Sequence, residues 1–436
     1  GNLINNGIEI TNSTGIIIEN INVAGWTNGI MVNNSSNNII RYCGIYSNDL
    51  YGIFFNNISA ANNTISSNRI YGTNQDYGVC FTNGAHDNFI LSNDIGNNQL
   101  RGIYFFAASN NVISGNTVYS NDLYGIVLSS IAAMNNTISS NSIFGTNQDY
   151  AIYFLSGSHD NFILSNDIGN NQQNGIYFAD ASNNVISGNA VYSNDLCGIW
   201  FNNIAAMNNT ISSNSIFGIN QDYGIYFLNG AHDNFILSNS IGNNQSYGIN
   251  FSSASNNVIR GNTVYSNDLY GIIFQNTGAV NNTISSNAIF GTNQDNGIYL
   301  SAAGTNNTIK FNSIYGNQLS GIYLYAATNR EISYNKIFNN PIGLTNFSST
   351  NILYYNDFIN ITNVISASGN PYFASNFYST RTFTNMGVTG VFTSFDPWLN
   401  AYIGSNNDWI VPDSPVSVIV SNGGPNQVII NWASNS

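Results

Sequence analysis

The chain has 436 residues, with 8 Lys and Arg against 21 Asp and Glu, a net charge of −13 at pH 7 and only 7% charged residues, where an average globular protein has about 25%. So few cations exclude a partner held through phosphates, nucleic acid above all; abundant Ile, Phe and Tyr exclude a disordered chain; and no apolar run reaches the ~18 residues of a membrane span. Gly1 in place of Met reads as a cut or mature end, and the uncharged, Asn-rich surface reads as extracellular or cell-surface.

From the N-terminus onward the chain repeats. A Gly-Ile pair followed by an apolar residue recurs at Gly29, Gly52, Gly78, Gly102 and Gly125, with Ala151 once in place of Gly, then at Gly175, Gly198, Gly224, Gly248, Gly271, Gly297 and Gly321. Weaker forms stand at Gly7 and Gly343. From Gly52 the intervals cycle through 26, 24 and 23 residues, so a three-unit block of 73 residues recurs almost unchanged. Each unit holds three alternating stretches, such as Gly102–Phe105, Asn111–Ser114 and Asn116–Tyr119. Short alternation bounded by Gly, Asn, Ser and Asp predicts a strand with one buried face, and no segment keeps a helical period.

Three short strands per unit at a constant period predict an all-β solenoid of about 15 coils, each coil pairing with the next at about 4.8 Å. The inward positions then form columns: Ile53, Val79, Ile103 and Ile126; Phe55, Phe81, Phe105 and Leu128; Ile65, Ile90, Ile113 and Ile138. One Asn per coil occupies the turn between the second and third strands: Asn93, Asn116, Asn141, Asn166, Asn189, Asn214, Asn239, Asn262, Asn287 and Asn312. Asn tolerates the left-handed conformation of a tight turn, and its amide pairs with the same amide one coil away. This column is expected to be structural.

The Gly-Ile-Tyr-Phe and Asn-x-Ile-x-x-Asn units resemble the right-handed parallel β-helix repeats of pectate-lyase-like and NosD-like proteins, over residues 1–345. The resemblance implies a right-handed helix. The fold hosts lyases, hydrolases, epimerases, adhesins and inert shafts, so it fixes no activity. Residues 346–411 are expected to form a C-terminal cap. Residues 412–436, with Pro412, Pro415, a Gly-Gly turn and Trp432, resemble the first strands of a fibronectin type III module; the alternative is a tail donated to a neighbour.

Candidate chemistry is sparse. His86, His159 and His232 each precede Asp-Asn, as copies in one turn. Asp49, Asp122, Asp195 and Asp268 form one carboxylate class and Asp76, Asp149, Asp222 and Asp295 another, each recurring only every third coil. Lyases and hydrolases on this fold need close carboxylates with Arg or Lys; Arg260 with Asp268, or Lys310 with a neighbouring coil, comes nearest. No catalytic or metal residue is assigned, and weak Ca²⁺ binding between Asp and Asn turns is the sole cofactor expectation. Cys43, Cys80 and Cys197 read as substitutions within repeats. The outward position of the first strand carries Tyr104, Tyr153, Tyr177, Trp200, Tyr226, Tyr299 and Tyr323, a stripe suited to sugars or to another rod. Sequons at Asn12, Asn57, Asn62, Asn135, Asn208, Asn281 and Asn306 are possible glycosylation sites.

The sequence therefore points first to a non-enzymatic structural or adhesive rod that self-associates head to tail. The alternative is a β-helix that binds or cleaves polysaccharide through the Tyr/Trp stripe; as an enzyme it would be a polysaccharide lyase or hydrolase.

Overall fold

A single coil shows how alternation sets the strands. Arg101–Phe106, Val112–Ser114 and Thr117–Tyr119 follow one another. Ile103, Phe105, Ile113 and Val118 point inward and are fully buried, while Tyr104, Val112, Ser114 and Thr117 point outward and are half-buried. β-Branched and aromatic side chains suit such a pleated, one-sided surface. A coil of this size cannot close a core alone, so every strand pairs in parallel with its counterparts. Ile103 stands between Val79 and Ile126, Ile113 between Ile90 and Ile138, and Val118 between Ile95 and Ile143.

The computed structural model describes residues 5–366 apart from 303, 329, 349 and 350, and beyond 366 only Asn376 and short strands between 372 and 432. The chain divides into two compact units, Gly1–Tyr226 and Phe227–Ser436. Both are all-β, with three parallel sheets built as above, and no helix occurs among the described residues. Within the first unit the Phe column stacks ring on ring, 4.6 Å for Phe55–Phe81, 4.9 Å for Phe81–Phe105 and 4.6 Å for Phe178–Phe201. Within the second, Phe227–Phe251 and Phe251–Phe274 stack at 4.7 and 4.8 Å.

Amide ladders occupy all three turns of the coil, where the sequence suggested one. Between the second and third strands, Oδ1 of each Asn accepts from both the backbone nitrogen and the Nδ2 of the Asn one coil earlier: Asn116 from Asn93, Asn141 from Asn116, Asn166 from Asn141. In the second unit Asn262, Asn287 and Asn312 repeat the pattern. A second ladder runs through Asn63, Asn88, Asn111 and Asn136, and a third through Asn48, Gln75, Asn98 and Asn121. A buried amide with every donor and acceptor engaged carries little desolvation penalty, which is why a core can hold so many.

The conformational part of the Asn expectation is corrected. The left-handed residue is the one before each ladder Asn: Ser92 (φ 54°), Gly115 (φ 69°), Ser140 (φ 55°) and Ser165 (φ 54°). The ladder Asn itself turns inward and is buried. It is selected for its amide, and the turn is left to the residue before it, Ser or Gly in most coils and Phe311 or Tyr334 farther along.

The parallel pairing also runs past residue 345. Ile342–Phe347 pairs with Thr362–Ser366, Thr362–Ser366 with Phe383–Asn385, and Ile352–Tyr354 with Tyr372–Ala374. The ladder continues from Asn335 to Asn356 and Asn376, with its steps shortened to 21 and 20 residues. That shorter step hides the period in the sequence. In the tail, Val418–Asn422 pairs antiparallel with Val428–Trp432. The remainder of 412–436, and much of 367–411, lies outside the described residues.

Candidate functional site

The outer face of the first-strand sheet concentrates the chemistry. At the entry to each first strand the Gly points inward: a Cβ on Gly52 would lie 2.6 Å from the carbonyl oxygen of Gly78. This inward Gly breaks the alternation, so the residue before it faces outward as well. Tyr51 accordingly stacks on Phe54 at 4.4 Å, although three positions separate them. Two outward columns thus lie side by side where the sequence suggested a single stripe.

In the first unit the two columns form a nearly continuous floor of rings. Contacts run Tyr51–Tyr77 at 5.2 Å and Tyr77–Tyr104 at 5.8 Å. They resume as Tyr124–Tyr150 at 5.4 Å, Tyr150–Tyr153 at 5.4 Å, Tyr153–Tyr177 at 5.1 Å, Tyr177–Trp200 at 4.8 Å and Trp200–Tyr226 at 5.8 Å. The rings are half-buried by one another, and Cys80 and Val127, at the smaller positions of the column, are buried. The second unit carries its own run, Tyr247–Tyr270 at 5.3 Å, Tyr270–Tyr299 at 4.5 Å and Tyr299–Tyr323 at 5.0 Å.

Arg101 is the residue that the sequence reading missed. It replaces Tyr in the column that precedes Gly, between Tyr77 and Tyr124. Its guanidinium carbon lies 4.2 Å from the ring centre of Tyr104, 5.4 Å from that of Tyr77 and 5.8 Å from that of Tyr124, within cation–π range. It makes no ion pair among the described residues, and its Nε is buried without a hydrogen-bond partner. Other polar atoms on these columns share that state: both amide atoms of Asn174 and Nε1 of Trp200 in the first unit, and Oδ1 of Asn250 and Asn296 in the second. Asn174 is fully buried between Tyr150 and Cys197 in the register.

Burial sets the protonation of the floor. Tyr51, Tyr153 and Tyr270 are pushed up to about 12, first by burial and then by the acidic groups that crowd them, with Arg101 opposing at Tyr153. Tyr150 is raised as well, first by burial. Tyr124 is raised by burial, with the Arg101 charge opposing. These phenols stay protonated at neutral pH, so they act as stacking surfaces and hydrogen-bond donors and are poor general bases. Asp76 and Asp222 line one edge, their carboxyls also raised by burial. Asp76, Asp149 and Asp222 recur every third coil, roughly 14 Å apart, and each has an Asp of the coil before it at the same turn, since Asn48, Asn121 and Asn194, which precede Asp49, Asp122 and Asp195, pair with Gln75, Gln148 and Gln221.

The remaining candidates stay local. Nδ1 of His86, His159 and His232 lies 2.7 Å from the carboxylate of the Asp that follows each, and the turns bridge to Ser109, Met134 and Ser255 as the repeat implies. Asp122, Asp195 and Asp268 accept from Asn147, Asn220 and Asn293 at 2.9, 3.0 and 2.9 Å. Arg260 and Lys310 lie on second strands, and no ion pair joins Arg260 to Asp268 among the described residues. Among those residues no three His, Cys, Asp or Glu side chains converge. Cys43, Cys80 and Cys197 are free and buried. Asn12, Asn57, Asn62, Asn135, Asn208, Asn281 and Asn306 are all exposed in left-handed turns.

The profile of the family described as a right handed beta helix region matches residues 6–168 and 160–314. The chain belongs to the right-handed β-helix family. Among curated proteins, a mannuronan C5-epimerase from Pseudomonas putida is 26% identical over 137 residues, 31% of this chain and 21% of that relative. The match therefore spans about a fifth of the relative's length. Among solved structures, the A-module of an Azotobacter vinelandii mannuronan C-5 epimerase aligns at a TM-score of 0.50 and 16% identity, covering 75% of this chain and 90% of that one. The Dettilon tailspike protein aligns at 0.47 and 18%, covering 73% and 61%. The likeness to the epimerase module concerns the fold alone. No helix of the described residues is long and apolar enough to cross a membrane.

Proposed function

We propose that this β-helix binds a polysaccharide laid along the outer face of its first-strand sheet, with Tyr150, Tyr153, Tyr177 and Trp200 as the central platform. The observation that carries the reading is the half-exposed floor of stacked rings with a single cation, Arg101, laid among them. Sugars present apolar ring faces and hydroxyls, and here stacking surfaces lie beside the Arg101 guanidinium, with the unpartnered Asn174 amide and Trp200 Nε1 buried among the same columns. Sites for ligands combine apolar walls with a few convergent polar groups in this way. A partial relative named for its action on mannuronan adds support.

Binding is favoured over cleavage. The phenols of the floor are held protonated and are poor general bases. An adhesive role at a cell surface fits the same face and an extracellular setting; the head-to-tail filament is not carried forward, because no observation on the described residues supports it.

The test is titration calorimetry of the intact chain against a panel of soluble polysaccharides, with a reducing-end assay on the same mixtures. Saturable binding without product release is expected. Release of unsaturated or reducing ends would convert the reading to an enzyme, and silence across the panel, with folding intact, would remove it.

A further inference from the structure

We infer that the face is selective for a largely neutral polysaccharide carrying an isolated anionic group, a carboxylate or sulfate, which Arg101 receives. The inference rests on the polysaccharide reading above.

Arg101 is the only Lys or Arg on the outer columns from Tyr51 to Tyr226. The other cation of that stretch, Arg69, belongs to a third strand and lies 3.8 Å from Asp94. Arg101 is held by rings alone. A guanidinium laid over Tyr104 keeps its edge for a planar or tetrahedral anion, and bidentate recognition of such groups is what Arg does best.

The rest of the face argues against a ligand charged at every sugar. Asp76 acts electrostatically on Tyr51 and Tyr77, Asp149 on Tyr124 and Tyr150, and Asp222 on Cys197. The first-unit floor is therefore edged by negative charge on either side of a single cation. A polyanion would set one charge at Arg101 and press the others, partly desolvated, toward carboxylates with no counter-charge, which is unfavourable. A neutral chain with one acidic sugar in register meets no such conflict. The platform around Trp200, flanked by the rings of Tyr177 and Tyr226, carries no cation and would take neutral units.

The experiment compares glucuronoxylan, its carboxyl-reduced form, sparsely sulfated xylan and polygalacturonate, on the full chain and on Arg101→Gln and Arg101→Lys. Methyl glucuronide and methyl glucoside serve as minimal probes of the Arg101 Nε–H resonance, one of six such arginine signals in the chain, assigned by its loss in Arg101→Gln. Glucuronoxylan should bind about tenfold more tightly than its carboxyl-reduced form, the strength of a charge-assisted hydrogen bond at a partly exposed site. That ratio should fall to about one in Arg101→Gln and recover in part in Arg101→Lys, and only the glucuronide should move the Nε–H signal. An Arg101-dependent gain confined to sulfated xylan would identify sulfate as the anion and sustain the inference. Equal binding of native and carboxyl-reduced polymer would overturn it while leaving the polysaccharide reading in place, and so would tightest binding by polygalacturonate. No binding by any polymer, with no probe moving the Nε–H signal, would overturn both.

Discussion

Oδ1 of Asn116 accepts two hydrogen bonds from Asn93, 2.8 Å from its backbone nitrogen and 3.0 Å from its Nδ2. One side-chain atom thus satisfies two buried donors of the previous coil. Asn116→Leu strands both, and an unpaired buried donor costs about 1–3 kcal/mol. The expected loss is at least ~3 kcal/mol, read as a lowered denaturant midpoint. Asn116→Asp keeps the acceptor but buries a charge and loses the donation to Ile90 and Asn141. Its stability should recover as the pH is lowered and the acid takes up its proton.

Trp200→Ala and Tyr150→Ala test the binding platform. Each removes a ring that contacts neighbours on both sides, Tyr177 and Tyr226 for Trp200, Tyr124 and Tyr177 for Tyr150. Central aromatic anchors cost about 2 kcal/mol or more when truncated, so affinity for a bound polysaccharide should fall at least tenfold, measured by calorimetry. Tyr46→Ala, in a ring pair on the third-strand sheet with Tyr71, should leave affinity unchanged.

Alkaline titration should separate these tyrosines from ordinary ones. Tyr51, Tyr153 and Tyr270 are raised to about 12, against about 10 in the unfolded chain. A folded value above the unfolded one means that their contribution to stability is complete below about pH 10 and is lost as the pH rises through 12. Phenolate absorbance should therefore develop late in the native protein, and the melting temperature should fall across that window.

Gly218→Ala should be costly although Gly218 has no special torsion to supply. A Cβ there would lie 2.5 Å from the backbone nitrogen of Ser193, which cannot swing aside as a side chain can. Overpacking of this kind costs about 1–3 kcal/mol, and equilibrium unfolding of the variant measures it.

Much of the fold could be read from period alone, because Ile53, Val79 and Ile103 recur at spacings that only stacked coils satisfy. What the period blurred was the division of labour between neighbours. Ser92 and Asn93 share one polar turn, and the sequence does not say that Ser takes the left-handed torsion while Asn turns inward. Two of the three ladders went unread because Gln75 and Gln148 interrupt one and the Asn62–Asn63 doublet masks another. The binding face was half legible. The column after Ile was visible by alternation, but the inward Gly52 and Gly102 break that alternation and bring Tyr51 and Arg101 to the same side. A cation at a position held by Tyr in four of the five coils from Tyr51 to Tyr150 was the available signal.

Nε2 of Gln75 donates to Oδ1 of Asn98 at 2.8 Å, and 73 residues later Gln148 donates to Asn171 at 2.8 Å. Because the seams match, excision of residues 99–171 would leave Asn98 before Gln172 as it now stands before Gln99. Unequal recombination between blocks would then add or drop three coils at a stroke without inventing a new junction. Copy number becomes a heritable dial for the length of the ring floor, turned independently of the chemistry written on any one block.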